Sequence, residues 1–336
     1  MPGFTAINDQ APPIRILKTL LTKGTIPHAL LFTGIDGIGK RMAALAFAMA
    51  CNCEGESLPE SGSLIDKPVS EPCGSCGPCR KIESGSHPDV IQVVPDGKII
   101  RIAQIRSLCE TLSMKPFEAR IRVVLLSDAH TLNPEAGNAL LKLLEEPPDD
   151  TIFILTAPHR SDLLATIDSR CQPVRFRPVL TDSIVRLLTD SMDLTEGEAS
   201  VVAAMAGGSY AEAIRMQEGG WLRFRKWLTE QLSSIAGMKT ASLLAVAEQI
   251  AAAPQSLSDG IGIIKTWMRD LLVINHSPGL VVNRDMLPRL ESESRRMTDA
   301  SILTILKMTE AVETRIASNG NARLNMEALF LRIASI

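Results

Sequence analysis

With 336 residues the chain is long enough for two or three domains, each with its own hydrophobic core. A formal net charge of −3 gives no global basic signature, which argues against a chain that grips nucleic acid through bulk electrostatics. Hydrophobic content of 45% and charged content of 22% are ordinary for a globular protein. The longest clean apolar run, near Met42 to Cys51, is far short of the roughly 18 residues a membrane span needs. The N-terminus lacks a signal-peptide core, so a cytoplasmic location is expected. Seven cysteines, four of them between Cys53 and Cys79, suit a metal site in a reducing compartment better than a disulfide framework.

Ile14, Ile16, Leu17, Leu20 and Leu21 predict a helix over Pro13 to Lys23, stopped by Gly24. His28-Ala-Leu-Leu-Phe32 reads as a buried strand that feeds Gly34-Ile-Asp-Gly37-Ile-Gly39-Lys40-Arg41. An alanine-rich helical stretch, Met42 to Ala50, follows at once. Strand, G-x-x-x-x-G-K and helix in that order make a phosphate-cradling P-loop, whose glycines let backbone N–H groups close around a polyphosphate at a helix N-terminus. Lys40 would reach the β- and γ-phosphates. The next position, where a Ser or Thr hydroxyl holds Mg²⁺, carries Arg41, and a cation cannot ligate a cation. Lys40 therefore has two readings: a residue that still binds ATP without hydrolysing it, or a relic of the loop. Mg²⁺ binding is not expected.

Glu54 to Glu71 is polar and rich in Ser, Gly and Pro, and reads as an exposed loop. Two overlapping C-x-x-C steps follow in Pro72-Cys73-Gly-Ser-Cys76-Gly-Pro-Cys79, a tight knuckle that turns thiolates to one point. Zn²⁺ takes four such ligands in a tetrahedron, and the fourth must come from upstream, from Cys53 or Cys51. An iron–sulfur reading asks for a fourth cysteine just downstream, where Glu83 stands, and a redox reading leaves one thiol without a role.

A second strand is expected over Asp89 to Val94 and an amphipathic helix over Ile102 to Leu112. Arg122-Val-Val-Leu-Leu126 is a buried strand ending at Ser127-Asp128. A working P-loop ATPase ends this strand in an Asp for Mg²⁺, usually followed by a Glu that handles water. Ser127 and Asp128 stand there instead, and Asp128 is equally well read as a strand-end cap. Pro134 to Glu146 is helical and Pro147-Pro148 stops it. Thr151 to Leu155 is a strand, Ser161 to Ile167 a short helical piece, and Val174 to Phe176 the last strand. Continuous apolar strands alternating with helices predict a parallel sheet covered on both faces. After Pro178 only helical patterns remain: Ile184 to Ser191, Glu196 to Met205, Ala211 to Gln217, Trp221 to Ile235, Thr240 to Ala252, Leu257 to Ile274, and two more from Asp285 to Ile336. The expected domains are 1–178, an α/β P-loop domain with the knuckle inserted; 179–218, a small helical lid; and 219–336, an all-α domain.

His28-Ala-Leu-Leu-Phe32, the knuckle after the first helix, Asn138-Ala-Leu-Leu-Lys-Leu-Leu-Glu-Glu-Pro-Pro148 and Ser169-Arg170-Cys171 occur in a specific order. This set resembles the AAA+ subunits of the bacterial DNA polymerase III clamp loader, densely from Phe4 to Ile214 and in general pattern beyond. The resemblance implies an AAA+ fold for the P-loop domain, a structural Zn²⁺ on Cys53, Cys73, Cys76 and Cys79, and a C-terminal collar. It implies as partners the motor subunits (gamma and tau) and delta in a hetero-oligomeric ring, with the sliding clamp and primed DNA reached through that complex.

Motor subunits carry the Ser or Thr after the lysine, an Asp-Glu pair at the third strand end, and an arginine on a lid helix after a Gly-Ser pair. This chain has Arg41, Ser127-Asp128 and Ala211 at those places. Each departure removes a different part of phosphoryl-transfer chemistry, which points to the family's non-motor branch and to no independent catalysis. Arg170 by resemblance is an arginine finger reaching a neighbour's ATP. On sequence physics alone it is a surface arginine pairing with a carboxylate such as Asp168. A motor-type ATPase and a zinc-knuckle nucleic-acid binder are the competing readings. Glu145 and Glu146 diverge by about 100° on a helix and read as a polar helix end, not an acidic pair. His28, His87 and His130 form no ligand spacing. Arg101, Arg106, Lys115, Arg120 and Arg122 make a modest basic cluster, either facing duplex DNA or solvated.

Overall fold

Five segments up to Arg175 become five parallel strands in the computed structural model, which describes residues 3–55 and 71–335. The strands are β1 (Ala29–Thr33), β2 (Val90–Val93), β3 (Arg122–Leu126), β4 (Thr151–Ala157) and β5 (Gln172–Arg175), in the spatial order β2-β3-β4-β1-β5. β1 lies inside the sheet, next to the β5 edge, with Leu31 opposite Leu155 of β4 on one side and Pro173 of β5 on the other. β1, β3 and β4 are buried along their whole length, which is why their sequences are continuous apolar runs and not alternating ones.

Helices α1 (Ala11–Lys23), α2 (Lys40–Asn52), α3 (Gly77–Glu83), α4 (Ile102–Leu112), α5 (Pro134–Glu145) and α6 (Ala165–Asp168) connect the strands. On one face Leu31, Leu126, Phe153 and Leu155 form a core with Ile105 and Leu108 of α4, Leu140 and Leu144 of α5, and Ile167 of α6. Each such Leu or Ile contributes about 1.5–3 kcal/mol by leaving water. α1 and α2 pack on the other side, α1 against β5 and α2 against β4. α2 is buried from Ala43 to Asn52 because its alanines let it approach closely. The expected helix from Ser161 to Ile167 is instead a 3-10 turn, Arg160–Asp162, and then α6, with Leu163 extended between them. The helix α3 inside the knuckle was not foreseen. Most of the loop expected from Glu54 to Glu71 lies outside the described residues.

After β5 the chain is helical: α7 (Thr181–Met192), α8 (Glu196–Met205), α9 (Tyr210–Glu218), α10 (Trp221–Ser234), α11 (Thr240–Ala251), α12 (Pro254–Val273), α13 (Leu287–Ser294), α14 (Asp299–Ala317) and α15 (Ala322–Ala334). The two helices expected from Asp285 onward are therefore three. Thr298 starts α14 by accepting from the Ser301 N–H, a cap that the sequence reading passed over. The chain forms two compact units, one of Met1–Ser183 with Gly208–Ala211, the other of Ile184–Gly207 with Glu212–Ile336. In the second, α12 packs against α10, α11, α13 and α14 around buried Ile264, Trp267 and Leu271. Buried Arg225 is bonded to Asn283 and Asp285, and Asn283 in turn to fully buried Asp270, so each charge there has partners.

Candidate functional site

The P-loop spans the turn from β1 to α2 at the C-terminal end of the sheet. Gly37 has φ 76°, and a Cβ there would lie 2.3 Å from Ser209 Oγ and 2.8 Å from Ala211 Cβ, so only glycine fits. The Tyr210 N–H donates to Gly37 O at 3.0 Å, tying the loop to the 208–211 segment of its own unit. Beside it Ala6, Ile7, Ile38, Met42, Val179 and Tyr210 line an apolar pocket of about 140 Å³, smaller than the roughly 300 Å³ at which whole-ligand sites begin.

Lys40 is 6% exposed and its ammonium is turned inward onto its own loop. It donates to Gly34 O, to Ile35 O at 3.2 Å and to Asp36 Oδ1 at 3.0 Å. These are the contacts a phosphate would have to replace. Arg41, in the Mg²⁺-ligand position, donates from Nη2 to Gln92 Oε1 of β2 at 2.8 Å. Ser127 gives its N–H to Val93 O. Asp128 has φ 53° and gives its N–H to Thr156 Oγ1 of β4 at 2.9 Å. Sequence reasoning missed Asp36 and Thr156. An acid inside a phosphate loop and a polar residue near the end of a buried strand were the available signals.

The structure gathers Cys53, Cys73, Cys76 and Cys79, whose sulfurs all lie within 4.8 Å of one another. A Zn²⁺ with four Zn–S bonds of about 2.3 Å needs sulfurs about 3.8 Å apart, so small side-chain movements close the tetrahedron. Backbone N–H groups of Gly55 and Cys73 donate to the Cys53 sulfur, and that of Cys76 to the Cys73 sulfur, each at 3.4 Å. Such donors favour thiolates. A Cβ on Gly55 would sit 2.9 Å from that of Cys73, so the close crossing of the two segments needs glycine. Hydrogen bonds from Ser75 lower the Cys73 thiol to about 6. Cys51 is buried in α2 outside this group, and burial raises its thiol to about 12. The donor set fits zinc, and Cys51 is no part of it.

Arg170 follows α6, two residues beyond its end. Its Nη2 donates to Glu145 Oε1 at 2.6 Å and its Nη1 to Thr166 O at 2.9 Å. Asp168, the carboxylate anticipated for it, is taken by Arg160 in two bonds of 2.8 and 2.7 Å, which hold the Asp168 carboxyl below its ordinary range. Glu145, read as part of a solvated helix end, is thus the partner of Arg170. The basic cluster does not present five free cations either. Buried Arg122 donates to Leu112 O and Met114 O, and Arg120 to Cys51 O, because both tie down the loop before β3. His87 is buried, and its Nδ1 accepts from the Asp89 N–H.

A parallel sheet in which the interior strand β1 runs into a glycine loop and a helix is a P-loop nucleotide-binding-type domain, here followed by helices. The family model described as DNA polymerase III, delta subunit, matches residues 9–180. The chain belongs to this family, among the clamp-loader subunits of DNA polymerase III. It is 30% identical over 338 residues to DNA polymerase III subunit delta' of Bacillus subtilis, with 98% of each chain covered. It is 34% identical to subunit tau of the same organism over 63% of this chain and 37% of that one. A DNA polymerase III gamma subunit-related protein of Thermotoga maritima aligns with 97% of the chain at 18% identity and a TM-score of 0.44.

Proposed function

We propose that this chain is the non-motor, delta-prime-type stator of a bacterial clamp loader. It would act in the cytoplasm, in a ring with gamma or tau motors and delta, and help load the sliding clamp onto primed DNA. Its P-loop domain would be 1–178, its lid 179–218 and its collar 219–336. The observation that carries this reading is the pairing of a self-occupied phosphate loop with an arginine at an exposed helix end. Lys40 is bound by its own loop, Arg41 holds Gln92, and Ser127 stands where a metal ligand is needed. Any ATP bound at Gly34, Gly37, Gly39 and Lys40 would lack metal ligands for turnover. Arg170 would serve a neighbouring motor instead, stabilising charge on the transferring phosphoryl group. The cysteine cluster would hold a structural Zn²⁺ with no open position; bound there, the metal would cross-link the end of α2 to the knuckle.

The test is ATP turnover by the pure chain, then by a ring reconstituted with motor subunits, delta and clamp, for wild type and Arg170→Ala. The pure chain should be inactive. Arg170→Ala should assemble normally, and the motor site it serves should lose about 2 kcal/mol or more of transition-state stabilisation, roughly 30-fold, diluted by the other motor sites. Turnover by the pure chain that Lys40→Ala abolishes would establish a motor-type ATPase. Wild-type clamp loading with Arg170→Ala would leave the chain a scaffold only.

A further inference from the structure

Arg170 has two kinds of partner in this chain, and they differ in what could displace them. Nη1 is bonded at 2.9 Å to the Thr166 carbonyl, one turn back, with Ser169 Oγ at 3.4 Å. That bond is to neutral backbone and fixes the direction of the side chain. Nη2 is bonded at 2.6 Å to Glu145 Oε1, the carboxylate at the last residue of α5. Helices α5 and α6 are packed together, with Leu164 against Gly137, where a Cβ would come within 2.9 Å of Leu164 Cδ1. Glu145 and Arg170 therefore meet on a rigid support. Asp168, the carboxylate nearest in sequence, is held by Arg160 instead. The pair is open to solvent, with side chains 50% and 35% exposed. Exposed pairs of this kind are weak, commonly 0.2–1 kcal/mol. A phosphate oxygen carrying greater charge can exchange with such a carboxylate.

We infer that Glu145 is a displaceable partner of Arg170, a carboxylate that retains the guanidinium on this chain until the charge developing on the phosphoryl group in transfer on an adjacent subunit takes over Nη2. The inference rests on the reading of Arg170 as a finger acting on a neighbour. Thr166 aims the side chain, and Glu145 sets how readily it is given up. Glu145 is thus a positioning residue that acts against engagement. Because it competes only when Arg170 must leave it for the transition state, its effect falls on kcat of the assembled ring and not on KM for ATP.

The experiment uses the reconstituted ring with ATP, measuring kcat and KM for five forms of this chain: wild type, Glu145→Gln, Glu145→Asp, Arg170→Ala and the Glu145→Gln/Arg170→Ala double variant. Glu145→Gln keeps the shape and removes the charge. It should raise kcat about two- to fivefold with KM unchanged, the factor that 0.4–1 kcal/mol converts to. Glu145→Asp, which restores the charge, should return kcat toward wild type. In the Arg170→Ala background Glu145→Gln should do nothing. A Glu145→Gln ring at or below the wild-type kcat, or a rise that persists without Arg170, overturns the inference while leaving the finger in place. If Arg170→Ala itself leaves kcat unchanged, the finger reading fails and the inference falls with it.

Discussion

At the residue scale, the phosphate loop keeps its lysine, and what differs is the set of partners around it. Lys40 keeps its place, but Asp36 and the loop carbonyls satisfy it. A nucleotide must break a charge-assisted bond to an aspartate that is itself largely exposed before it gains one to phosphate. Asp36→Ala should therefore strengthen binding of ATP without Mg²⁺ by about 0.5–1 kcal/mol, or two- to fivefold, measured by titration with a fluorescent nucleotide. Weaker binding by Asp36→Ala than by wild type would mean that the carboxylate supports the loop instead of competing. Arg41→Thr should leave turnover at zero, since Ser127 still offers no carboxylate to a metal.

At the element scale, the knuckle is a construction of two segments that sequence places 20 residues apart, Cys53 at the end of α2 and Cys73 onward. The C-x-x-C spacing made three ligands legible. The fourth member of the cluster was not legible from spacing, because Cys51 and Cys53 lie equally well upstream; helix geometry keeps Cys51 within α2 and brings the Cys53 sulfur, just past the helix end, to the other three. Metal analysis of fresh protein should find one zinc per chain in wild type and in Cys51→Ser, and none or a small fraction in Cys53→Ser. Full zinc in Cys53→Ser would overturn the ligand set. Strands β1, β3 and β4 were legible because a strand buried on both faces has to be apolar throughout, whereas β5, expected over Val174 to Phe176, spans Gln172–Arg175 with only Val174 buried. The partner of Arg170 was not legible, since Asp168 stands two residues away in sequence while Glu145 is brought to it only by the packing of α6 on α5, and Asp168 is taken by Arg160. The third C-terminal helix was obscured because one 19-residue helix and its short neighbours share a continuous polar–apolar texture.

At the scale of the whole molecule, the P-loop unit is not a continuous stretch of chain. Four residues, Gly208–Ala211, belong to it although Ile184–Gly207 does not. The Val179 N–H donates to Gly208 O at 2.9 Å, and the next residues lie on Gly37. Gly208 has φ 87°, and a Cβ there would come within 2.4 Å of Pro178 Cβ. Gly208→Val should displace this strap, costing about 1–3 kcal/mol in chemical denaturation. It should also speed hydrogen exchange at the amides of Gly37 to Lys40. Unchanged exchange there would show that the loop is closed by its own residues alone.

The same strap imposes an order on synthesis. A growing chain delivers all five strands by Arg175, so the sheet and its core can assemble early. The glycine loop near its beginning stays without its last neighbours until α7 and α8 have emerged and residue 211 has followed them. For that interval of about 2–7 s, set by elongation at roughly 5–20 residues per second over the last three dozen positions, the nascent protein carries an unstrapped phosphate loop. Any nucleotide able to enter the loop would meet it in that form before it met the finished one.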